Sequence, residues 1–474
     1  MELFLLFLFF LLMVFFCFFL YSFPLSFKLK EPISKLQLPP GKTGWPIVGE
    51  TLEFAAMGRN GTPEKFFKDR MSKYSQEVFK TSLLCEQIAV FCGPAANKFV
   101  FSNENKLVAL SWPSSAKKIF PSSNSSTKLR AVALTLLKPD NLHKYVSIVD
   151  SIAKSHLETQ WNFQKEVNVL SLVRQFDFTA ACRLFLSIND PHQIEDCAKP
   201  FEVMAAGIFT LPINLPGSSY NRGIKAANSV RQKLLGIIKQ RKGEVMDKQL
   251  VHDEDLLSLF LTKPDENGKF MSEPEIADHL LAALLASQDS TTASITFTMK
   301  YLAEFPDIYD EVLKEQRSIA QEKIPGEPLN WKDLQKMRYA WNVVSEVLRL
   351  VPPVQGNFRE VLTDFTYSTF FIPKGWKIYW TPNSTHKNPQ YFSDPEKFDP
   401  SRFEGSGPMP HTFVPFGGGS RICPGKDFAR VVILVFMYNV IGKFRWEKLL
   451  PVEKTVVLPI PLPAKGLPVV LHPH

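Results

Sequence analysis

The sequence predicts a mainly α-helical protein: one large helical domain with a small β-rich part, preceded by one N-terminal transmembrane helix. Three observations carry this prediction. Residues 3–21 contain no charged side chain, a long apolar segment follows a helix-capping signal near residue 272, and β-forming segments appear in the carboxy-terminal third. An uncharged run of this length fits a bilayer core, and a largely apolar helix indicates an element through the interior of a domain.

The composition of the 474-residue chain is that of a globular protein. Hydrophobic residues make up 45% and charged residues 22% of it, close to the averages for folded domains. The net charge of +8 allows an anionic membrane, nucleic acid or an acidic partner. The sequence shows no long Lys/Arg run and no zinc-finger or RNA-binding signature, so nucleic acid is not expected. The six cysteines form no C-x-x-C motif, which favours a reducing compartment.

Residues 1–23 are predicted to anchor the protein in a membrane. The uncharged run at 3–21 would span about 28 Å as a helix, near the thickness of the bilayer core. A cleaved signal peptide is the alternative, but no basic residue precedes the run and no small-residue cleavage site follows it. Lys28, Lys30 and Lys35 follow the run, so the positive-inside rule places the rest of the chain on the cytosolic side.

Residues 24–50 are predicted to form a basic, proline-rich hinge that leads into a single domain over residues 51–474. Pro39, Pro40 and Pro46 stand beside Gly41 and Gly44, and fixed proline dihedrals make such a segment stiff and non-helical. The sequence after residue 50 shows no internal repeat and no second linker of comparable strength. One large domain is therefore preferred over two.

Helix signals dominate this domain. Ser272 and Glu275 have the spacing of a capping box with Pro274 in the first turn, and Pro306 ends the apolar segment, which predicts a helix of about 30 residues. A second helix is predicted over 339–350 because two prolines follow it, and a solvated basic helix over 221–248. Segments 366–371 and 377–379 are rich in β-formers and predict the β-rich part.

The segment FGGGSRICPG, from Phe416 to Gly425, is the strongest functional signal in the chain. It places Cys423 just before a predicted helix over 426–443. A thiol there meets free backbone N–H groups and the positive end of the helix dipole, which lowers its pKa and favours metal ligation by the thiolate. A lone cysteine is more often a small buried hydrophobic side chain. This segment, however, matches F-x-x-G-x-R-x-C-x-G at every fixed position.

That pattern resembles the haem-binding loop of the cytochrome P-450 superfamily. The resemblance implies the cytochrome P-450 fold, haem b with the Cys423 thiolate on its iron, O2 and NADPH as co-substrates, and an NADPH-cytochrome P-450 reductase as partner. It also implies a single-pass protein of the endoplasmic reticulum membrane with a cytosolic catalytic domain. Arg130, Arg359 and Arg421 are candidates for pairing with the haem propionates. The family often has a Trp four residues before the first of these arginines, and this sequence has none there. The residues expected to contact the cofactor are Arg130, Arg359, Phe416, Gly419, Arg421, Cys423 and Gly425.

Glu346, Arg349 and Arg402 match a second pattern of the same superfamily. Glu346 and Arg349 are three residues apart and share one face of the predicted helix. Taken alone, such a pair is more often an exposed ion pair with little energetic effect. The spacing resembles the family's E-x-x-R motif, and Arg402 lies in the segment FDPSRF, where the family places a third member. The resemblance implies a structural network behind the haem that performs no chemistry on the substrate.

Asp289, Ser290 and Thr291 lie in the predicted long helix, in a segment that resembles the oxygen-activation pattern of the family. Reductive cleavage of O2 needs two protons, so an acid beside an alcohol has a mechanistic purpose there. Ser290 stands where Thr is usual and Ser287 where Gly is usual, which leaves both Ser290 and Thr291 open as the relay hydroxyl. The alternative is that these hydroxyls bond back to helix carbonyls one turn earlier.

Three segments resemble plant members of the superfamily that oxidise pentacyclic triterpenes such as beta-amyrin: PKGWKI at 373–378, FEGSGP at 403–408 and PAKGLP at 463–468. The resemblance implies an NADPH-dependent monooxygenase whose rigid apolar substrate is bound by burial and shape. Family position places that substrate near residues 107–112, 282–286, 354–356 and 459–462. Oxidation of another terpenoid or sterol, a haem-thiolate isomerase or dehydratase, and a non-enzymatic membrane haem sensor are the alternatives.

Overall fold

A computed structural model describes residues 6–14, 16, 37–46, 48–113, 116, 119, 126–162, 164–208, 210, 213–246, 255–264 and 268–474. Helices dominate these residues, as predicted. The helices are α1 (Thr51–Arg59), α2 (Pro63–Lys73), α3 (Gly93–Ser102), α4 (Ser126–Leu136), α5 (Pro139–Gln160), α6 (Val169–Leu186), α7 (Pro191–Ile208), α8 (Ser219–Met246), α9 (Leu256–Thr262), α10 (Glu273–Glu304), α11 (Pro306–Gln321), α12 (Trp331–Lys336), α13 (Arg338–Leu350) and α14 (Lys426–Lys443). The strands are β1 (Val78–Leu83), β2 (Glu86–Phe91), β3 (Val108–Leu110), β4 (Glu166–Asn168), β5 (Asn357–Val361), β6 (Phe365–Tyr367), β7 (Phe370–Ile372), β8 (Lys377–Trp380), β9 (Phe444–Lys448), β10 (Thr455–Val457), β11 (Pro461–Pro463) and β12 (Pro468–Pro473).

The predicted membrane anchor lies largely outside the described residues. Residues 6–14 are helical with exposed side chains, and the three lysines that follow the apolar run are outside the description. Among the described residues, no helix is both long and apolar enough to cross a bilayer. The transmembrane helix and the boundaries at residues 23 and 50 therefore stay predictions.

Helix α10 confirms the predicted central helix and both of its ends. The Ser272 backbone N–H donates to Glu275 Oε2 at 3.0 Å, which satisfies a donor that the helix itself leaves unpaired. The helix ends at Glu304, and Pro306 begins α11 after a single intervening Phe305. Because α10 packs against α6, α8, α13 and α14, side chains on several of its faces are buried.

Helix α8 confirms the helix predicted over 221–248, but its interpretation as a solvated surface helix was wrong for one face. Leu234 and Ile238 on that face are buried. Arg241 is also buried, and its Nη1 lies 2.7 Å from Asp255 Oδ2 at the start of α9. Charge spacing alone cannot show this, because long cationic side chains bury their stems and find partners on other elements.

The main sheet has the strand order β1-β2-β8-β5-β3. Strands β3 and β5 are antiparallel, with Leu110 opposite Arg359, so the loop that enters β3 lies beside the side chains of β5. The β-formers at 366–371 fold into the hairpin β6–β7, and those at 377–379 fall within β8. The predicted β-rich part is confirmed, and its register brings Glu104, just before β3, next to Arg359.

Candidate active site

Cys423 lies in a tight loop that leads into α14. Its backbone N–H donates to the Phe416 carbonyl at 2.8 Å, and the Ile422 N–H donates to the Gly419 carbonyl at 3.1 Å. These two bonds fold the loop back on itself. They hold the thiol just before the first turn of α14, where the sequence predicted it.

The thiol of Cys423 is deep in the protein and yet accessible. The residue is exposed by surface area, whereas burial raises the pKa of the thiol. Both observations hold if the thiol faces open space inside the protein. The Gly425 N–H and the Arg130 guanidinium act in the opposite direction and lower the pKa of Cys423. The prediction that backbone N–H groups and the helix dipole lower the pKa of Cys423 was wrong, since desolvation outweighs these local charges.

Two glycines of the loop differ in what a side chain at each position would meet. Gly419 has a φ of +63°, and a Cβ there would lie 2.2 Å from the Phe101 carbonyl oxygen of α3. This packing requires glycine, so closeness to a cofactor is not needed to explain it. Gly425 has an ordinary φ of −88°, and a Cβ there would lie 3.9 Å from Cys423 Sγ. A Cβ at Gly425 would thus make only ordinary van der Waals contact with the thiol.

Three arginines predicted to pair with propionates lie together at this loop. Arg130 on α4 donates from Nη1 to the Ile422 carbonyl at 2.7 Å. Arg359 on β5 and Arg421 approach one carboxylate, that of Glu104, with Nε to oxygen distances of 2.6 Å and 3.5 Å. Glu104 stands in no sequence motif and was therefore not predicted.

Positive charge is crowded at this site. Burial lowers the pKa of Arg130, and the neighbouring Arg421 lowers it further. Burial likewise lowers the pKa of Arg359. Glu104 raises this pKa, and Arg421 lowers it. Like charges held close together and partly out of water indicate a site for an anionic group. Haem carries two propionates on a flat ring, so these residues and the accessible thiol fit it.

Glu346, Arg349 and Arg402 form a buried network, as the sequence predicted. Arg349 and Glu346 share two hydrogen bonds of 2.7 Å, and both side chains are 0% exposed. Arg349 also donates to the carbonyls of residues 386, 395 and 397. Arg402 Nε lies 3.4 Å from Glu346 Oε1. The alternative, an exposed ion pair, is excluded by this burial.

His386 was missed in the sequence, and it connects that network to Val414, two residues before the thiol loop, the segment Phe416–Gly425. The Val414 N–H donates to His386 Nε2 at 2.9 Å, and His386 Nδ1 lies 3.2 Å from the Arg349 carbonyl. Since Nε2 accepts, the ring is neutral with its proton on Nδ1. Burial lowers the pKa of His386 to about 3, in agreement with this tautomer. The network behind the loop is thus held by backbone contacts as well as by ion pairs.

The hydroxyls of α10 are not equivalent. Ser290 donates from Oγ to the Ala286 carbonyl at 3.0 Å, and Ala286 itself is exposed in the middle of this long helix. Thr291 is buried. The predicted alternative, bonding back to the previous turn, is therefore what Ser290 does in this structure. That bond uses the hydroxyl proton and leaves oxygen lone pairs able to accept from a water.

Two carboxyl groups lie at this part of α10. Burial raises the pKa of Asp289, while Arg174 on α6 opposes the shift, and Arg174 Nη1 lies 3.7 Å from the half-exposed Glu202. Asp177 on α6 is fully buried and accepts from Thr292 Oγ1 at 2.9 Å. Burial raises the pKa of Asp177 well above its ordinary value, and Asp289 adds to the shift. Asp177 is thus a buried carboxyl group with a raised pKa that sequence motifs did not reveal.

Cys423 in its accessible site would supply one thiolate ligand to a metal, and a haem would supply the remaining ligands itself. With the crowded arginines at the same loop, fold and site define a haem-thiolate protein. The comparison with family models agrees: residues 39–465 match the description "Cytochrome P450". The chain belongs to the cytochrome P450 family, and it is an oxygen-incorporating oxidoreductase that uses haem with a cysteine thiolate, binds an apolar substrate and needs a redox partner.

Curated relatives cover almost the whole chain. It is 54% identical to a beta-amyrin 28-monooxygenase of Vitis vinifera over 95% of both chains. It is 51% identical to a beta-amyrin 6-beta-monooxygenase of Solanum lycopersicum over 92% of this chain and 93% of the relative. Among solved structures, retinoic-acid-bound cyanobacterial CYP120A1 superimposes with a TM-score of 0.83 at 33% identity, covering 93% of this chain and all of that one. The mainly helical cytochrome P450 fold with a small β part is therefore confirmed.

Proposed function

We propose that this chain is a monooxygenase that oxidises a pentacyclic triterpene of the beta-amyrin type, with Cys423 as the iron ligand. The observation that carries the proposal is the 54% identity to a beta-amyrin 28-monooxygenase over 95% of both chains. A relative of similar identity is named for position 6 of the same substrate. The identities support the substrate class, and the product formed from beta-amyrin will show which of its carbons is oxidised.

Exposed apolar side chains support an apolar substrate. Val354 and Ala286 lie in two of the segments predicted to line the substrate site, and both are exposed. Val354 stands between two buried residues, and Ala286 stands between residues buried two positions away on either side. This pattern is expected for the wall of an apolar cavity. A triterpene is a rigid hydrocarbon with one hydroxyl, so most of its binding free energy would come from apolar burial, at roughly 25 cal/mol per Å², and shape would select the carbon.

The residues of α10 would manage protons in this reaction. When bound, the haem supplies the iron at which O2 is activated. Burial raises the pKa of Asp289, so its carboxyl holds a proton closer to neutral pH, as a general acid requires. Ser290 is half-buried and lies one helical turn after the exposed Ala286; its Oγ would accept from a water and hold it in place. Thr291 is buried and would serve packing.

Ser290→Ala is expected to uncouple the reaction. Loss of the water-holding oxygen should lower the product formed per NADPH consumed by about tenfold, less than the roughly 10²–10⁴-fold of a group that itself transfers the proton, because Ser290 only holds the water. Thr291→Ala should leave this ratio within about twofold of the parent. NADPH consumption, product and released hydrogen peroxide are measured together. The reverse result, with Thr291→Ala uncoupled and Ser290→Ala coupled, would assign the relay to Thr291.

We also propose a single N-terminal span in the endoplasmic reticulum membrane, a cytosolic catalytic domain and an NADPH-cytochrome P-450 reductase as electron donor. The uncharged run at 3–21, the lysines after it and the net charge of +8 support this placement. Alkaline extraction of the membrane fraction tests it, since an integral protein stays in the pellet. Recovery of the full chain in the extract would contradict it.

The product assay tests the substrate directly. Microsomes that contain the full chain and a reductase receive beta-amyrin, NADPH and O2, and the products are identified by mass spectrometry and NMR. An oxidised beta-amyrin that needs both NADPH and O2 is expected. A protein that forms the thiolate carbon monoxide complex but leaves beta-amyrin and related pentacyclic triterpenes unchanged would sink the substrate proposal and leave the family membership intact.

A further inference from the structure

Glu104 is a buried carboxylate with several partners beside the loop that carries Cys423. Its Oε2 accepts from Arg359 Nε at 2.6 Å, and its Oε1 accepts from the Leu110 N–H at 2.9 Å and lies 3.5 Å from Arg421 Nε. The side chain is 2% exposed. One carboxylate therefore joins strand β3, strand β5 and the loop that carries Cys423.

Positive charges and a backbone donor surround the buried carboxylate of Glu104. A buried carboxylate is costly unless opposite charges and donors surround it, and here two guanidinium groups and a backbone amide do so. All of these contacts are ones in which the carboxylate accepts. Glu104 therefore places a full negative charge beside Arg421, two residues from the proposed iron ligand.

The backbone around Glu104 is fixed rather than adaptable. Asn105 has a φ of +60°, its N–H donates to the Val108 carbonyl at 2.6 Å, and the Leu107 N–H donates to Asn103 at 3.1 Å. A turn closed by such bonds holds the carboxylate in one place. The positions of both arginine side chains then depend on Glu104, because its carboxylate binds each of them through Nε.

We propose that Glu104 is a positioning residue for the cofactor: it orients Arg359 and Arg421 toward the haem propionates and lowers the haem reduction potential through its own charge. The inference rests on the haem site assigned above, and it does not depend on the substrate. Reduction adds an electron to the site, so a nearby fixed negative charge opposes it. Removing the charge while keeping the shape favours the ferrous form.

Glu104→Gln isolates the charge. The amide retains an oxygen for the Leu110 N–H and nearly the same volume. At a fixed applied potential, the ratio of ferrous to ferric haem in the purified holoprotein is expected to rise threefold or more. The reduced carbon monoxide complex should keep its thiolate band, which shows that the ligand is unchanged.

Glu104→Asp isolates the position. The charge remains but the carboxylate is one methylene farther from the arginines, so the ferrous-to-ferric ratio should stay within twofold. Haem should transfer to an apo-haem acceptor protein about threefold faster, because the arginines lose their fixed orientation.

Glu50→Gln is the matched control. Glu50 also binds a buried arginine, Arg70 of α2, at 2.8 Å and 3.2 Å, and accepts from Thr81, but it has no contact with the thiol loop among the described residues. Its substitution removes the same charge and should change neither the ferrous-to-ferric haem ratio nor the haem transfer rate.

A ferrous-to-ferric ratio equal to that of the parent in Glu104→Gln, or an equal rise in Glu50→Gln, would overturn the proposal. If Glu104→Gln yields no holoprotein, parental haem transfer in Glu104→Asp overturns it and faster transfer supports it. Both readouts use haem alone, so a failed triterpene assay leaves them interpretable.

Discussion

Cys423→Ser is expected to abolish turnover and to remove the red-shifted Soret band of the reduced carbon monoxide complex. Serine has nearly the same shape as cysteine, but its hydroxyl is a hard, weakly acidic ligand that does not replace a thiolate on haem iron. The thiol faces open space, so the substitution creates no packing defect. The thermal unfolding temperature of the haem-free protein should consequently change by less than about 2 °C, the shift expected for a few tenths of a kcal/mol.

Cys85→Ser provides the matched control for this substitution. Cys85 is another exposed cysteine, in the turn between β1 and β2 and outside the thiol loop. The Cys85 variant should keep the thiolate band and parental turnover. A thiolate band that persists in Cys423→Ser, or disappears in Cys85→Ser, would refute the assignment of the iron ligand.

Features carried by short sequence spacing were predictable. The two ends of α10 followed from Ser272, Glu275 and Pro306, because capping and proline effects act within one helical turn. The loop around Cys423 followed for the same reason, since all of its fixed positions lie within ten residues. In each case the interaction that determines the structure joins residues close in sequence, so a single sequence contains the whole signal.

Features that depend on distant pairs were not predictable. Glu104 meets Arg359 across 255 positions, and Asp177 meets Thr292 across 115. Neither carboxylate stands in a motif, and a lone acid in a sequence is most often on the surface. The prediction of a lowered pKa for Cys423 was wrong for a related reason. The helix start is visible in the sequence, whereas the desolvation that outweighs it comes from packing.

The pair Glu346 and Arg349 shows where local spacing stops being informative. Glu311 and Lys314 on α11 have the same i,i+3 spacing and opposite charges, and their side chains are 60% and 77% exposed. The side chains of Glu346 and Arg349 are 0% exposed. Spacing places each pair on one helix face, but only tertiary packing decides which pair is buried and therefore costly to break.

Arg349→Ala is accordingly expected to prevent accumulation of folded holoprotein. The substitution deletes all the bonds that Arg349 makes to Glu346 and to three backbone carbonyls, and it leaves a buried carboxylate whose nearest remaining cation is Arg402 at 3.4 Å. Breaking one side of a buried ion pair costs about 3–5 kcal/mol, a large fraction of the stability of a typical domain. The haem-containing protein per unit of expressed chain, read from the carbon monoxide spectrum, should fall at least tenfold.

Lys314→Ala removes the same charge from the exposed pair of identical spacing. Because surface pairs contribute about 0–1 kcal/mol, its holoprotein yield should stay within about twofold of the parent. Arg349→Lys separates charge from geometry: lysine keeps the positive charge but cannot form the forked contact with Glu346, so its yield should resemble that of Arg349→Ala. If Arg349→Lys folds like the parent, charge alone suffices and the forked geometry has no structural role. If Arg349→Ala does so as well, the buried network does not support the loop that holds Cys423.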